Sequence, residues 1–363
     1  MKKVLLTIVL IGISGAIWYF EVQKPDVGPE EEEASHIEKM NKAEKAKMFE
    51  PAKELTGAGR FINIEPFRLK DEIGKKVILI DFWTYSCINC QRTTPYLNSW
   101  WDKYNDKGLL IVGVHTPEFE FEKNYDNLLR AVQKFEIEYP VVQDNSYSIW
   151  RSYRNQYWPR KYLIDIDGYI VYDHIGEGAY EETEMKIQEL LNERMAVLGE
   201  EGKIAVSITE EEENGLQVNS PETYFGSARN ENFGSGTPGR AGSYNFIRPA
   251  EIKSNTLYLT GQWQIANEYA QNISKDARII FKYNAKEVYL VANSDKGVKI
   301  KVLQDGKSLE DIAGEDISKD VLSEGFIKDS RLYKLINNSK AGEHTLEIII
   351  EGPGLKAFTF TFG

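Results

Sequence analysis

Cysteine is almost absent from this 363-residue chain, which has only Cys87 and Cys90. Because both lie in one C-x-x-C motif, none is left for a structural bridge, and a two-residue loop closes too little chain to stabilise a fold. A zinc site would need two more ligands. The chain has four histidines, His36, His115, His174 and His344. None shows the paired spacing of a zinc site, so we predict no metal.

Positive charge is also in deficit. The chain has 44 Lys and Arg against 56 Asp and Glu, and its formal net charge is −12. A surface of this charge repels nucleic-acid phosphates, so the balance excludes nucleic acid as a partner. It places no restriction on protein partners.

Long hydrophobic runs are missing except for one, residues 4–20, which follows Lys2 and Lys3. These seventeen residues reach the lower limit for spanning a bilayer. The run predicts a signal anchor or transmembrane helix over residues 1–23, and the two lysines favour a cytoplasmic N-terminus with the remainder exported, to the periplasm or the outer surface. The alternative is a signal peptide that is cleaved near Ala16, which would give a secreted protein.

The two cysteines follow the apolar run 77–83, and residues 91–105 after them have helical periodicity. A helix whose first turn contains Cys87 directs free N–H groups and the positive end of its dipole at the sulfur. With help from Arg92, this environment favours the reactive thiolate. We therefore predict a thiol–disulfide oxidoreductase with Cys87 as nucleophile and Cys90, one turn on, as the resolving thiol. The segment from Thr84 to Cys87 also matches the Thr-x-x-Cys element of peroxidases of the peroxiredoxin kind. A peroxidase is disfavoured, because that element has an upstream proline where this chain has Ile80.

Asp81 lies six residues before Cys87, inside the apolar run. A buried carboxylate is costly unless it holds a proton or has a task. We predict that Asp81 has a raised pKa and accepts the proton of Cys90, directly or through water.

The string from Asp81 to Cys90, Asp-Phe-Trp-Thr-Tyr-Ser-Cys-Ile-Asn-Cys, and Pro95 in the following helix resemble the thioredoxin pattern. Residues 61–191 resemble the membrane-associated thioredoxin-like proteins of the TlpA and DipZ type, which implies an α/β thioredoxin-like domain. The resemblance implies a cis-proline opposite the dithiol. Pro159 is the matching position, and Pro140 is the competing one. The backbone of Trp158 would then be free to pair with a substrate peptide.

Further substrate contacts are implied by the same resemblance. Tyr85 lies within the motif, and the segment from His115 to Glu118 resembles a family signature in a loop at the carboxyl end of a strand. For His115 and Glu118 the alternative is a turn capped by polar side chains. Both interpretations stay open at the level of the sequence.

From residue 221 onward the chain changes to short β-rich runs, at residues 256–259, 277–283, 287–291, 298–303, 344–350 and 357–362. This pattern predicts an all-β sandwich. The segment Pro221–Gly226, with the sequence Pro-Glu-Thr-Tyr-Phe-Gly, resembles the C-terminal, carbohydrate-binding-module-like domain of DipZ-type proteins. Tyr224, Trp263 and Tyr269 are candidates to stack on a sugar, but aromatic residues also build sandwich cores.

These observations divide the chain into five segments. We predict an anchor at residues 1–23, a hydrophilic spacer at 24–56, the thioredoxin-like domain at 57–198, a linker at 199–220 and the β-sandwich at 221–363. An exported protein that keeps its only two cysteines in one reactive motif uses them for redox chemistry rather than as a structural disulfide.

We therefore expect a protein that reduces disulfides of exported proteins, with the Cys87–Cys90 disulfide as its redox group and no other cofactor. Because DipZ-type proteins carry an electron-transferring membrane part, the resemblance implies a separate membrane thiol donor as a partner, with envelope glycan as a further ligand of the sandwich. The alternatives are net oxidation or isomerisation of disulfides, and a glycan- or protein-binding function in which the thioredoxin-like domain is accessory.

Overall fold

The structure, a computed structural model, describes residues 40–209 and 219–363. The chain divides into a unit that ends at residue 49 and a second unit, residues 50–363. In the first, helix α1 (Lys42–Met48) begins with a capping box between Asn41 and Glu44. The predicted anchor, residues 1–23, lies outside the described residues. Among the residues that are described, no helix is long and apolar enough to span a bilayer.

The thioredoxin-like domain is a six-stranded sheet with helices packed against it. Its strands are β1 (Phe61–Ile62), β2 (Val77–Trp83), β3 (Leu109–His115), β4 (Val141–Gln143), β5 (Arg160–Ile164) and β6 (Ile170–Ile175), in the order β1-β4-β3-β2-β5-β6. Strand β2 is parallel to β3 and antiparallel to β5. Every residue of β2 and β3 is buried, as expected for central strands covered on both faces.

The helices of this domain are α2 (Ile88–Tyr104), α3 (Tyr125–Lys134), α4 (Ser148–Ser152) and α5 (Tyr180–Leu198). Helix α2 directly follows the end of β2, which brings the dithiol to the carboxyl edge of the sheet. Asn124 caps α3 by accepting hydrogen bonds from two backbone N–H groups, and Pro95 lies inside α2. The helix differs from the prediction in one respect: Cys87 is its N-cap, and the first turn begins at Ile88.

The C-terminal domain is all-β. Its strands are β7 (Thr223–Tyr224), β8 (Gly242–Phe246), β9 (Leu257–Ile265), β10 (Ala270–Asn272), β11 (Ala277–Asn293), β12 (Val298–Gln304), β13 (Lys307–Ser308), β14 (Glu324–Ile327), β15 (Arg331–Ile350) and β16 (Lys356–Phe362). Strand β11 pairs with β9 through its first half and with β16 through its second half. The fold class expected from the sequence, a thioredoxin-like α/β domain followed by an all-β domain, is confirmed.

One expected strand boundary is wrong. The runs 277–283 and 287–291 form the single strand β11, because the residues between them make a bulge, with a shift of register between Ala285 and Glu287, rather than a turn. Such a bulge bends a strand and increases its twist without ending it. The long strand therefore reaches across the domain and takes part in one apolar core, which includes Trp263, Phe281 and Phe360.

An apolar cluster joins the two domains. Ile88 and Phe119 come from the thioredoxin-like domain, and Leu332 and Phe358 come from the C-terminal domain. All four are at most 7 % exposed, and the rings of Phe119 and Phe358 meet edge to face with centroids 5.2 Å apart. Because Ile88 is the residue after Cys87, the C-terminal domain packs directly against the C-x-x-C motif.

Candidate redox site

The dithiol lies at the N-terminus of α2. Both cysteines are free thiols; Cys87 is partly exposed and Cys90 is 2 % exposed. The backbone N–H of Cys90 donates to the Cys87 sulfur, with N and Sγ 3.3 Å apart. The accessible sulfur is thus the one that receives the helix N–H group.

Beneath the dithiol, Asp81 occupies the middle of β2, directly opposite Lys161 of β5. It is 2 % exposed. Burial raises the pKa of Asp81 to about 7, and the charge of Lys161 offsets this rise only in part. Its Oδ1 atom has no hydrogen-bond partner among the described residues. Burial also raises the pKa of the Cys90 thiol, and the neighbouring Cys87 and the charge of Asp81 raise it further. An acid that titrates near pH 7 is suited to exchange a proton with this thiol.

Arg92, which the sequence places near the thiol, is engaged elsewhere. Its Nε and Nη2 atoms donate to the two carboxylate oxygens of Glu177, at 2.7 and 3.0 Å, and Nη2 also donates to Asn89 at 2.8 Å. The carboxylate neutralises most of the guanidinium charge. The expectation that Arg92 favours the Cys87 thiolate stays a prediction, and the salt bridge with Glu177 balances most of the charge on which it relies.

A cavity of about 610 Å³ opens at Cys87 and is lined by residues of both domains. On the thioredoxin-like side it includes Trp158. The resemblance to thioredoxin-like proteins implies a cis-proline at Pro159, and the Trp158–Pro159 peptide bond is cis. The Trp158 indole donates to the carbonyl of Thr116 at 3.0 Å, which fixes the side chain. Within residues 40–209 and 219–363, the backbone of Trp158 makes no hydrogen bond, so it is free for a bound peptide.

Glu118 also lines this cavity, where it connects the two domains. One carboxylate oxygen, Oε1, accepts from the Tyr224 hydroxyl at 2.9 Å and from Arg229 Nη1 at 2.8 Å. The Tyr224 hydroxyl also lies 2.6 Å from a carboxylate oxygen of Glu222, and the Arg229 guanidinium stacks on the Tyr224 ring, 3.8 Å from its centroid. The loop after β3 and the Pro-Glu-Thr-Tyr segment of the C-terminal domain thus meet beside Cys87.

His115 and Tyr85, the other two expected substrate contacts, do not reach the cavity. His115 is fully buried at the end of β3, with its Nε2 atom 3.3 Å from the Thr84 hydroxyl, and burial lowers its pKa to about 3. The Tyr85 ring stacks on His115 at 5.5 Å and is 4 % exposed. Both side chains therefore support the motif from below. Tyr85 lines a different cavity of about 420 Å³, with Arg130 and Leu332.

Glu122 is a buried residue that sequence reasoning missed. Its Oε1 atom accepts from the Ser86 hydroxyl at 2.6 Å, and its Oε2 atom accepts from the backbone N–H groups of Glu118 at 2.5 Å and Phe119 at 3.0 Å. Burial, followed by the charge of Glu118, raises its pKa to about 7. One carboxyl group thus holds together the residue before Cys87 and the loop that contacts the other domain. The sequence signal that could have identified Glu122 is that it follows Glu118 as another acidic residue in the same short segment.

The aromatic candidates of the C-terminal domain have structural positions. Trp263 is fully buried in the core, as the alternative to a sugar-binding role predicts. Tyr269 packs on Phe358 with ring centroids 5.3 Å apart, and Tyr224 lies in the interdomain cavity.

Three carboxylates away from the cysteines, Asp165, Asp167 and Glu193, have oxygen atoms within 4.8 Å of one another. Each of them already has an interaction partner within the chain. Neither cysteine belongs to this group, so it does not bear on the chemistry of the thiols.

A thioredoxin-like sheet with a dithiol at the N-terminus of its first long helix, a cis-proline and a buried acid defines a protein of the thiol–disulfide exchange class. Family profiles agree with this class: one described as thioredoxin-like matches residues 74–170, and one described as the thioredoxin-like C-terminal domain matches residues 220–363.

The chain is 30 % identical over 147 residues to the thiol-disulfide oxidoreductase YkuV of Bacillus subtilis, covering 40 % of this chain and 98 % of that protein. It is 36 % identical over 316 residues to protein DipZ of Mycobacterium bovis, covering 86 % of this chain and 43 % of DipZ. The chain therefore spans less than half the length of DipZ. A solved thioredoxin-like protein in its oxidised form matches with a TM-score of 0.37 at 29 % identity, over 40 % of this chain and 97 % of that one. This chain belongs to the thioredoxin-like thiol–disulfide oxidoreductase family.

Proposed function

We propose that this protein reduces disulfide bonds of exported proteins through the Cys87–Cys90 dithiol. The observation that carries the proposal is the position of Cys87: it is partly exposed, it receives the N–H of Cys90, and it faces a cavity beside the cis peptide bond at Pro159. Membership of the oxidoreductase family supports exchange chemistry. Because oxidants and reductants share the C-x-x-C motif, the reducing direction is the part of the proposal that the reduction potential tests, and the location outside the cytoplasm rests on the apolar run of residues 4–20.

The reaction takes place in two exchanges. The Cys87 thiolate attacks one sulfur of the substrate disulfide, so that a mixed disulfide forms and the other substrate sulfur leaves as a thiolate. Asp81 accepts the proton of Cys90, whose thiolate then attacks the Cys87 sulfur. The second substrate thiol is released and a Cys87–Cys90 disulfide forms. The dithiol loses two electrons and two protons, and the substrate gains them as two thiols.

The oxidised motif must then be reduced again. Outside the cytoplasm no soluble thiol pool is kept reduced, so the electrons have to cross the membrane. We propose that a separate membrane thiol donor performs this step by the same exchange at Cys87, with the chain held at the membrane by residues 1–23.

The equilibrium reduction potential of the Cys87–Cys90 pair tests the direction. It is measured in the full chain, solubilised in detergent, against thiol–disulfide buffers, with Cys87→Ser as the control that forms no motif disulfide. A value near −270 mV supports a reductant, whereas a value near −120 mV would make the protein an oxidant of its substrates. Absence of any reversible disulfide would overturn the exchange mechanism itself.

A further inference from the structure

The cavity at Cys87 has one wall in each domain. Trp158 stands on the thioredoxin-like side, and Tyr224, Arg229 and Phe362 stand on the C-terminal side. The volume of about 610 Å³ is within the range of clefts that bind ligands in proteins. A substrate sulfur that approaches Cys87 therefore enters a cleft rather than an open surface.

The second wall is fixed in place. Phe358 packs on Phe119 and Phe121, with ring centroids 5.2 and 4.8 Å apart, and Leu332 belongs to the same buried cluster as Ile88. Clusters of buried apolar side chains close to native packing density resist displacement. These contacts thus hold the C-terminal domain against the C-x-x-C motif.

Polar contacts fix the rim of the same wall. Glu118 accepts from both Tyr224 and Arg229 across the domain boundary, and the Arg229 side chain lies over the Tyr224 ring. Glu118 is anchored in turn, because its backbone N–H donates to Glu122. Two side chains of the wall are therefore tied to the loop that follows β3, on the same edge of the sheet as the dithiol.

Exchange at Cys87 requires the substrate disulfide to come within bonding distance of the sulfur, together with the chain on each side of it. Resting on the proposed function, we propose that the interdomain cleft is a binding site for an extended, flexible peptide segment that carries the disulfide, and that it excludes disulfides held on the surface of a folded domain. One edge of such a segment meets the free backbone of Trp158, as in strand addition. Its side chains on the other edge contact Tyr224 and Arg229.

The test uses the reduced full chain and two substrates with matched reduction potentials, so that thermodynamics favours neither. One is an unstructured peptide with a single disulfide, and the other is a small folded protein with a single solvent-exposed disulfide. We expect kcat/KM to be higher for the peptide by roughly tenfold or more, the range that steric discrimination in a pocket supplies. Equal rates, or faster reduction of the folded protein, would overturn this inference and leave the proposed function intact. Failure to reduce either substrate would instead count against the proposed function.

The double variant Tyr224→Ala and Arg229→Ala removes two large side chains from the C-terminal side of the cleft. We expect the ratio of the two kcat/KM values to move toward one, mainly through faster reduction of the folded protein. Tyr244→Ala is the matched control, because Tyr244 is 37 % exposed in the same domain and does not line the cleft; its ratio should stay that of the wild type. An unchanged ratio in a folded double variant would contradict the assignment of the wall.

A measurement on the wild-type protein keeps the inference testable if the double variant does not fold. The peptide is made with a thioether in place of its disulfide, so that it binds without reacting. It should slow alkylation of Cys87, and the same thioether placed in the folded protein should not. Equal protection by both ligands would contradict a cleft selective for flexible segments.

Discussion

Asp81 and Glu347 are both strand carboxylates with little exposed surface, 2 % and 8 %, but their surroundings differ. Glu347, in the C-terminal domain, accepts from Arg248 at 2.8 Å and from Arg278 at 2.5 Å. Although burial opposes ionisation, these hydrogen bonds lower the pKa of Glu347. Asp81, beneath the dithiol, has one oxygen that finds no partner in the described part of the chain, and burial raises its pKa to about 7.

A second pair of residues repeats the contrast. Glu287 of the C-terminal domain forms a salt bridge with Lys334 at 2.7 Å, and its pKa is lowered because hydrogen bonds from Lys334 and Tyr289 outweigh burial. Glu122, near the dithiol, forms no salt bridge among the described residues, and its pKa rises to about 7. Basic partners thus neutralise Glu347 and Glu287 of the C-terminal domain, while Asp81 and Glu122 near the dithiol have pKa values of about 7. Such costly groups persist where chemistry uses them.

Asp81→Asn tests this contrast, and it is the substitution for which we expect the largest change in the free energy of unfolding. The folded pKa of about 7 exceeds the ordinary value of 3.8, so between these pH values the folded protein binds more protons than the unfolded chain. Stability is then lost as pH rises through that window. Removing the acid should raise the free energy of unfolding at pH 8 by about 4 kcal/mol, at 1.36 kcal/mol per pKa unit. Urea unfolding at pH 4 and pH 8 measures this difference, which should vanish at the lower pH.

Turnover of Asp81→Asn shows whether Asp81 takes part in catalysis or only lowers the stability of the fold. We expect slower release of the substrate from the mixed disulfide, because Cys90 loses its proton acceptor, and a rate that no longer rises through pH 7 as the wild-type rate does. A stabilised variant with unchanged turnover between pH 6 and pH 9 would remove Asp81 from the mechanism.

Local patterns in the sequence were sufficient for the fold class. The apolar run of β2, the C-x-x-C spacing and the alternating β-rich runs after residue 221 each act over a few residues, where hydrophobic periodicity is informative. The bulge near Ala285 was missed, because pairing partners decide whether such a point bends a strand or ends it.

The site was harder to predict, because it depends on distant contacts. Glu118 and Tyr224 are 106 residues apart in the chain and meet only after both domains have docked. No periodicity reports such a contact. Tyr85 and His115 were expected at the substrate, but a motif alone does not show on which side of the sheet edge a side chain packs.

A smaller effect is expected for Glu122→Gln. The carboxyl group of Glu122 accepts four hydrogen bonds, two from Ser86 and one each from the backbone N–H groups of Glu118 and Phe119, and an amide would turn its NH₂ group toward some of these donors. Leaving a buried donor unsatisfied costs about 2 kcal/mol, so the free energy of unfolding should fall by this amount at pH 4, below both the folded pKa of about 7 and the ordinary value of 4.5, where the raised pKa contributes no difference. The loop between the motif and the other domain should also loosen, which faster hydrogen exchange of the Glu118 and Phe119 amides would show. Unchanged exchange would contradict the role of Glu122 as the link.

The smallest effect is expected for Glu347→Gln, and its sign at pH 8 is opposite to that of Asp81→Asn. The lowered pKa of Glu347 contributes stability that is present above its ordinary value of 4.5 and is lost as pH falls through the folded pKa. Because Arg248 and Arg278 are 51 % and 38 % exposed, solvent screens both pairs, and we expect a loss of about 1 kcal/mol. In urea unfolding at pH 8 one substitution should therefore stabilise the protein and the other destabilise it, and both differences should shrink in acid. If Glu347→Gln also stabilised the protein at pH 8, the two regions would not differ in how they neutralise buried charge, and the raised pKa near the dithiol would be a general consequence of burial rather than a property of the site.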